Sequence, residues 1–351
     1  MRIVKLLILS LIGAFCIFCI MVCYNFSKMA IDFYENMDIP TVEFPFKNLF
    51  DDKGNKLNII LISAPFREEK HEKLYEEYRK KGLDFCGISS YLEFPSKIDN
   101  PYEDRFHEQR GHNYLNMVSA WLHCFRETPK EIIQSGLPYM LMTEANLKDT
   151  DAYKPDPKIE KKYDFIYVCL KDNDKCEPGW NWYIRQWELA KKCLVIMCRD
   201  FGLKGVLVGR KNCEFTQHCL GIVEVIDFLE FHEFQKKMQQ CKFLFAPNQS
   251  DASPRVLVEA MSYNMPVLCN YNIVGGWDNV VPGVTGEFFT NEEDVGYALE
   301  KLTKNYDKYT PRDWFVRNKG KKISGKILAD FLIKHYPNIN NKNMEYATVS
   351  I

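Results

Sequence analysis

The chain has 351 residues, 46% hydrophobic and 26% charged, which excludes wholesale disorder, a fibrous repeat and a low-complexity chain. Basic and acidic residues number 46 and 47, a net charge of −1, so the basic excess of a general nucleic-acid binder is missing. A chain of this length is expected to hold about two domains.

Residues 6–24 are an uncharged stretch of 19 residues. As a helix it spans roughly 28 Å, about one hydrocarbon core. Arg2 and Lys5 precede it, and Lys28 follows, then Asp32, Glu35 and Asp38. The positive-inside rule then puts the N-terminus in the cytoplasm and the rest of the chain across the membrane, lumenal or extracytoplasmic. Met21-Val22-Cys23-Tyr24 offers no small-residue cleavage site, so residues 1–24 are expected to stay as a signal anchor. Residues 25–56, with Pro40 and Pro45, are expected to form a stem.

The apolar run 57–63 predicts a buried strand. A charged helix is expected over 68–81 and a second strand over 85–92. Leu115, Val118, Leu122 and Phe125 recur at helical spacing, which predicts a helix over 113–126. Residues 138–142 are a third candidate strand. Residues 57–150 thus make one unit, and 151–162, with Pro155, Pro157 and little apolar content, make a linker. Beyond it, strands are expected at 164–170, 204–208, 223–226, 242–246 and 266–269, with helices at 182–193, 231–240 and 254–263 between them. A second unit over 163–310, a helical segment over 311–337 and a flexible tail over 338–351 complete the expected organisation. The alternation implies an α/β protein with two doubly wound, Rossmann-like domains and a cleft between them. Ligands in such sheets bind beyond the carboxyl ends of the strands, here the loops after Cys169, Val208 and Ala246.

Of the 13 cysteines, Cys16, Cys19 and Cys23 lie in the apolar N-terminal stretch. The rest follow no C-x-x-C pattern, which argues against structural zinc. Most fit buried thiols, and disulfides enter if the domain is lumenal.

The chemistry concentrates in residues 243–269. Ser253 suits an N-cap and Pro254 a first helical position, and a helix N-terminus aimed into the cleft attracts anions, diphosphates included. Asn264 suits the left-handed position after the helix, and Pro266 stops its continuation. Asp251 and Glu259 are separated by seven residues and can border one pocket. That spacing alone more often describes a solvated Asp and an ordinary helix Glu.

Asp251, Glu259, Ala260, Met261, Pro266 and Val267 stand in the order of the donor-site motif of retaining two-domain glycosyltransferases of the family 4, or group 1, type. The segment resembles that motif, and Gly275-Gly276-Trp277-Asp278 and Pro282-Gly283-Val284-Thr285-Gly286 resemble the family's next two elements. The resemblance covers about residues 160–300 and implies the GT-B fold. It also implies transfer of a sugar from a nucleotide-diphosphate sugar with retention of configuration, without metal or other cofactor. The acceptor, a glycan, protein or lipid, would lie on the N-terminal domain. Glu259 would hydrogen-bond the ribose and Asp251 the donor sugar. Backbone N–H groups of Ala252, Ser253, Arg255 and Val256 would line the sugar and diphosphate. The family has Glu at the first acidic position, glycine in the loop, and an Arg and a Lys after the domain's first strand. Here Asp251, an Asp-Ala-Ser-Pro-Arg loop and residues 170–179 stand instead, leaving Lys171, Lys175 and Arg210 as candidate diphosphate cations.

Three features compete or conflict. Asp149-Thr150-Asp151 is a D-x-D pattern that holds a divalent metal in another glycosyltransferase class, an alternative enzyme reading. His107 and His112 are candidate acceptor-side groups. Asn248-Gln249-Ser250 is a glycosylation sequon beside the expected site, where a glycan would obstruct the cleft. A sugar-binding protein that kept the fold without catalysis is the alternative from outside enzymology.

Overall fold

The computed structural model describes residues 38–96 and 112–349. The apolar stretch 6–24 and His107 lie outside them, and no helix among the described residues is long and apolar enough to cross a membrane.

In chain order the elements of the first unit are β1 (Phe46–Asp51), β2 (Lys56–Ile62), α1 (Glu69–Lys80), β3 (Asp84–Ile88), β4 (Ala120–His123), α2 (Lys130–Gln134) and β5 (Tyr139–Leu141). The second unit holds β6 (Tyr163–Val168), α3 (Trp180–Ile184), α4 (Trp187–Arg199), β7 (Gly205–Val208), β8 (Val223–Ile226), α5 (Phe231–Gln239), β9 (Cys241–Ala246), α6 (Arg255–Ser262), β10 (Val267–Asn270), β11 (Gly286–Phe289) and α7 (Val295–Lys304). The chain closes with α8 (Pro311–Asn318), α9 (Gly320–His335) and β12 (Ala347–Val349).

These strands form two six-stranded sheets. The second runs β11-β10-β9-β6-β7-β8 and is parallel throughout. The order reverses between β6 and β9, and that switch point opens a ligand crevice beyond the two strands' carboxyl ends. Phe165, Tyr167, Phe243 and Phe245 face a core shared with α4 and α7, while Ile166, Leu244 and Ala246 face α6. Burial on both faces is why these strands are continuous apolar runs.

The first sheet runs β12-β1-β2-β3-β4-β5. Its β2–β5 core is parallel, and β1 and β12 add antiparallel strands. After the second domain the chain returns, and α9, with Tyr336 just beyond it, lays Leu328, Ala329, Leu332 and Tyr336 on the face formed by Leu57, Ile59, Cys86, Ala120 and Leu122.

Four sequence expectations change. The stem over 25–56 contains β1, which turns through Lys53-Gly54-Asn55 into β2, with Asp51 accepting hydrogen bonds from the Lys53 and Asn55 backbones. The helix over 113–126 is instead a 3-10 turn, Tyr114–Met117, followed by β4. All four β4 residues are buried, so the strand shows no polar alternation, and the helical spacing of its leucine and phenylalanine neighbours was fortuitous. The helix over 182–193 is α3 and α4, broken where Gln186 takes φ +51°. The tail over 338–351 holds β12, whose Ala347 and Val349 are buried against the sheet.

The cysteines divide. Cys86, Cys124, Cys169, Cys193, Cys241 and Cys269 are buried free thiols. Cys176–Cys213 and Cys198–Cys219 are disulfides, both in the second domain.

Candidate donor site

The loop that leaves β9 carries Asp251, and Glu259 lies on α6, the next helix. Gly275 approaches this loop so closely that a Cβ would lie 1.8 Å from the Ala252 carbonyl oxygen. Only glycine permits that contact. Gly275 and Val274 donate backbone hydrogen bonds to Asp251 O (2.9 Å) and Gln249 O (2.8 Å). The Gly-Gly-Trp-Asp segment thus fixes the loop bearing Asp251.

Each acid has a cation. Arg185 Nη1 donates to Asp251 Oδ2 at 2.7 Å, and Asn248 Nδ2 donates to the same oxygen at 3.1 Å. Lys148 Nζ donates to Glu259 Oε1 at 2.8 Å and stands 3.8 Å over the Tyr153 ring. Side-chain exposure is 6% for Lys148 and 14% for Glu259, so both charges are largely desolvated. Sequence reading missed both cations. Lys148 directly precedes the D-x-D pattern, and Arg185 lies within the single helix expected over 182–193. No local signal marks the break at Gln186.

Ser253 does not cap α6. Its Oγ accepts from the Ala145 backbone N–H at 3.1 Å, and Pro254 occupies the cap position, with no side chain hydrogen-bonding the helix start. The first N–H groups of α6, those of Arg255 and Val256, therefore remain available to an anion. Arg255 is exposed, Val256 half-buried and Ala252 buried. At the other end Asn264 adopts φ +57°, the left-handed cap expected of it.

The three sequence-chosen cations do not converge. Lys171 Nζ pairs with Asp174 at 3.0 Å, and Lys175 is exposed. Arg210 is fully buried and pairs with Asp172 at 3.2 Å. It is a structural guanidinium beneath the loops, not one facing the cleft.

On the facing domain, His112 Nε2 lies 3.1 Å from Glu72 Oε1, packed against Phe66 and Tyr114. A histidine passed over in the sequence, His123, ends β4. It is buried, and burial pushes its pKa below the usual histidine value. Its place at a parallel strand's carboxyl end is the signal that marks it.

The D-x-D pattern is neutralised by lysines. Asp149 faces Lys321 at 3.6 Å, and Asp151 faces Lys154 at 3.6 Å and Lys322 at 3.7 Å. Asp149, Asp151, Lys321 and Lys322 border a cavity of about 190 Å³ where the chain enters α9. Among the described residues no group of three or more His, Cys, Asp and Glu side chains is placed to hold a metal.

The sequon is closed. Asn248 is buried, and its amide nitrogen, the atom a glycan would occupy, is the donor to Asp251. The folded domain is expected to carry no glycan at Asn248. Secreted from a glycosylating cell, it should show no mass shift at this peptide after glycosidase treatment, and a glycan found there would overturn this placement.

The two sheets, the switch-point site and the returning α9 can be compared with known structures. HepE from Anabaena in complex with UDP-glucose matches with a TM-score of 0.55 and 13% identity, over 78% of this chain and 78% of its own. The fold is GT-B. The lipopolysaccharide outer core galactosyltransferase WaaB matches with a TM-score of 0.51 and 15% identity, over 79% of this chain and 75% of its own. Sucrose-phosphate synthase from Thermosynechococcus elongatus gives 0.54 and 10%, over 79% and 74%. No protein-family model matches the sequence, and comparison with curated proteins finds no match.

Proposed function

We propose that this chain is a glycosyltransferase that moves a sugar from a nucleotide-diphosphate sugar to an acceptor, retaining configuration and using no metal. The observation that carries this reading is the pairing of Asp251 with the half-buried Arg185 and of Glu259 with the buried Lys148, beside the open N-terminus of α6 at the switch point of a GT-B sheet. Glu259 has a second carboxylate oxygen for the ribose hydroxyls, and Asp251 has one for the donor sugar. The N–H groups of Arg255 and Val256 face the diphosphate. Arg185, on Asp251, replaces Lys171, Lys175 and Arg210 as the side-chain cation for the leaving group. Catalysis then rests on positioning and on stabilising charge as the diphosphate departs. The acceptor, a glycan, protein or lipid, binds the N-terminal domain.

UDP-glucose heads a thermal-shift panel of nucleotide sugars, followed by measurement of its slow hydrolysis. A shift with turnover supports the transferase. Binding without turnover supports a sugar-binding protein that kept the fold, and no shift with any nucleotide sugar overturns the donor site.

The lysines around Asp149 and Asp151 support metal independence. Turnover is expected to persist in EDTA, and Asp149→Asn is expected to leave it within about twofold, the scale of an exposed ion pair. Loss of turnover in EDTA, restored by manganese, would instead support the metal-dependent reading.

We also infer that residues 6–24 anchor the chain with the catalytic domain outside the cytosol. The two disulfides support this orientation, because they persist in oxidising compartments. In sealed microsomes the domain is expected to resist protease until detergent is added, and digestion without detergent would reverse the orientation.

A further inference from the structure

Arg210 lies too deep to touch a donor, yet its surroundings lead to the donor site. Its guanidinium stacks against Trp182 and Trp187 at 5.1 and 5.0 Å. Its Nε donates to Cys169 Sγ at 3.0 Å and its Nη2 to Asp172 Oδ2 at 3.2 Å. Its Nη1 is buried without a partner among the described residues.

Asp172, so held, caps α3. Its Oδ1 accepts from Asn181 N at 2.6 Å, and its Oδ2 from Trp182 N at 3.0 Å. Gly179 permits the approach, since a Cβ there would lie 2.6 Å from Asp172 Cβ. Arg185 follows α3 directly. Its carbonyl accepts from the buried Tyr167 hydroxyl at 2.8 Å, and its guanidinium reaches Asp251. The left-handed Gln186 then lets α4 start in a new direction. Residues 180–185 thus form a short arm, clamped at one end by Asp172 and at the other by Tyr167, with Arg185 at its tip. The Cys176–Cys213 disulfide joins the loop of Asp172 to the loop after Arg210.

A buried ion pair is weak evidence for stability, because packed apolar side chains of similar volume often serve as well. An arginine with one donor left unpartnered contributes less still. The geometry it imposes is the better account of its presence. We propose that Arg210 is a positioning residue of the donor site: through Asp172 it fixes α3 and so sets Arg185 on Asp251. This rests on the donor-site reading of Asp251 given above.

The test compares the full chain with Arg210→Met, which keeps volume and stacking, and Asp172→Asn, a milder change should the first fail to fold. Two quantities are measured: kcat and KM for UDP-glucose hydrolysis, and hydrogen exchange of amides 180–185. Both variants are expected to lose about 100-fold in kcat, the scale of a misplaced group, with KM nearly unchanged. Exchange should rise at 180–185 and stay fixed over β7 and β9. In an Arg185→Met background, Arg210→Met should cost nothing further, because the two act as one unit.

Independent, additive losses of turnover would overturn the proposal, as would unchanged exchange at 180–185. A general rise in exchange across the domain would show a merely structural arginine and overturn it too. If the wild-type chain neither binds nor hydrolyses UDP-glucose, the donor-site reading is what fails. Exchange at 180–185 then still decides whether Arg210 holds the arm.

Discussion

Glu259→Gln is expected to destabilise the protein by about 3 kcal/mol and, separately, to weaken nucleotide-sugar binding. The two losses have different causes. In the free protein Glu259 neutralises Lys148, and removing one partner of a buried pair leaves an uncompensated charge. The value sits at the low end of the range because the glutamine carbonyl can still accept from Lys148 Nζ and the Tyr153 ring still faces the ammonium. For a domain of this kind the melting temperature should fall by roughly 6–12 °C. In the complex the lost charged acceptor costs about 1.5–3 kcal/mol more, roughly 10- to 150-fold in Kd. A double variant separates the two. Lys148→Met with Glu259→Gln removes both charges, so melting should recover most of the loss while calorimetric affinity for UDP-glucose stays weak. Recovery of affinity along with stability would mean that Glu259 serves only the fold, and its donor role would be withdrawn.

The Lys148–Glu259 pair also shows what a sequence can and cannot convey. Glu259 was legible because its motif is local: a loop acid, a helix start and a glutamate about one turn in, ended by Asn264 and Pro266. The parallel second sheet was legible because its strands are apolar on both faces and bounded by turns. Lys148 was not, because it comes from the connection before β6, some 111 residues away, and meets Glu259 only after two domains and a returning helix are assembled. Arg185 was hidden by a break at Gln186 that side-chain pattern does not encode. β1 and β12 are short, mixed in polarity and meaningful only as neighbours of each other and β2, so their residues resembled a stem and a tail. Arg210 stands at a strand end as expected of a diphosphate cation, but it is buried. Only its two tryptophans and Asp172, scattered over three loops and helices, show that it points inward.

Arg126→Ala is expected to loosen the two domains. Arg126 follows β4 in the first domain, and its guanidinium lies 4.2 Å over Tyr271 and 4.6 Å over Trp277 of the second, donating to the Tyr271 carbonyl at 3.0 Å. Trp277 answers by donating its indole N–H to the Cys124 carbonyl at 2.9 Å. A second bridge stacks Tyr91 on Trp180 with ring centroids 5.4 Å apart. The candidate site belongs to both bridges, since Trp180 opens α3, which delivers Arg185, and Trp277 follows the glycines that fix the Asp251 loop. A cation–π contact is worth about 0.5–2 kcal/mol, so losing Arg126 should shift the closed population by about 2 kcal/mol and weaken donor binding roughly tenfold or more in proportion. Arg126→Lys keeps the charge but not the planar stacking and should fall between. Arg126→Ala with Trp180→Ala removes the cation–π and stacking contacts of both bridges, leaving only the Trp277–Cys124 hydrogen bond, and should show the larger effect as an increased radius of gyration in X-ray scattering, with each domain's melting unchanged. If scattering and UDP-glucose affinity both match wild type in the double variant, the α9 return and the Lys148–Glu259 and Ala145–Ser253 contacts suffice to hold the domains together, and the two aromatic bridges do not set the cleft.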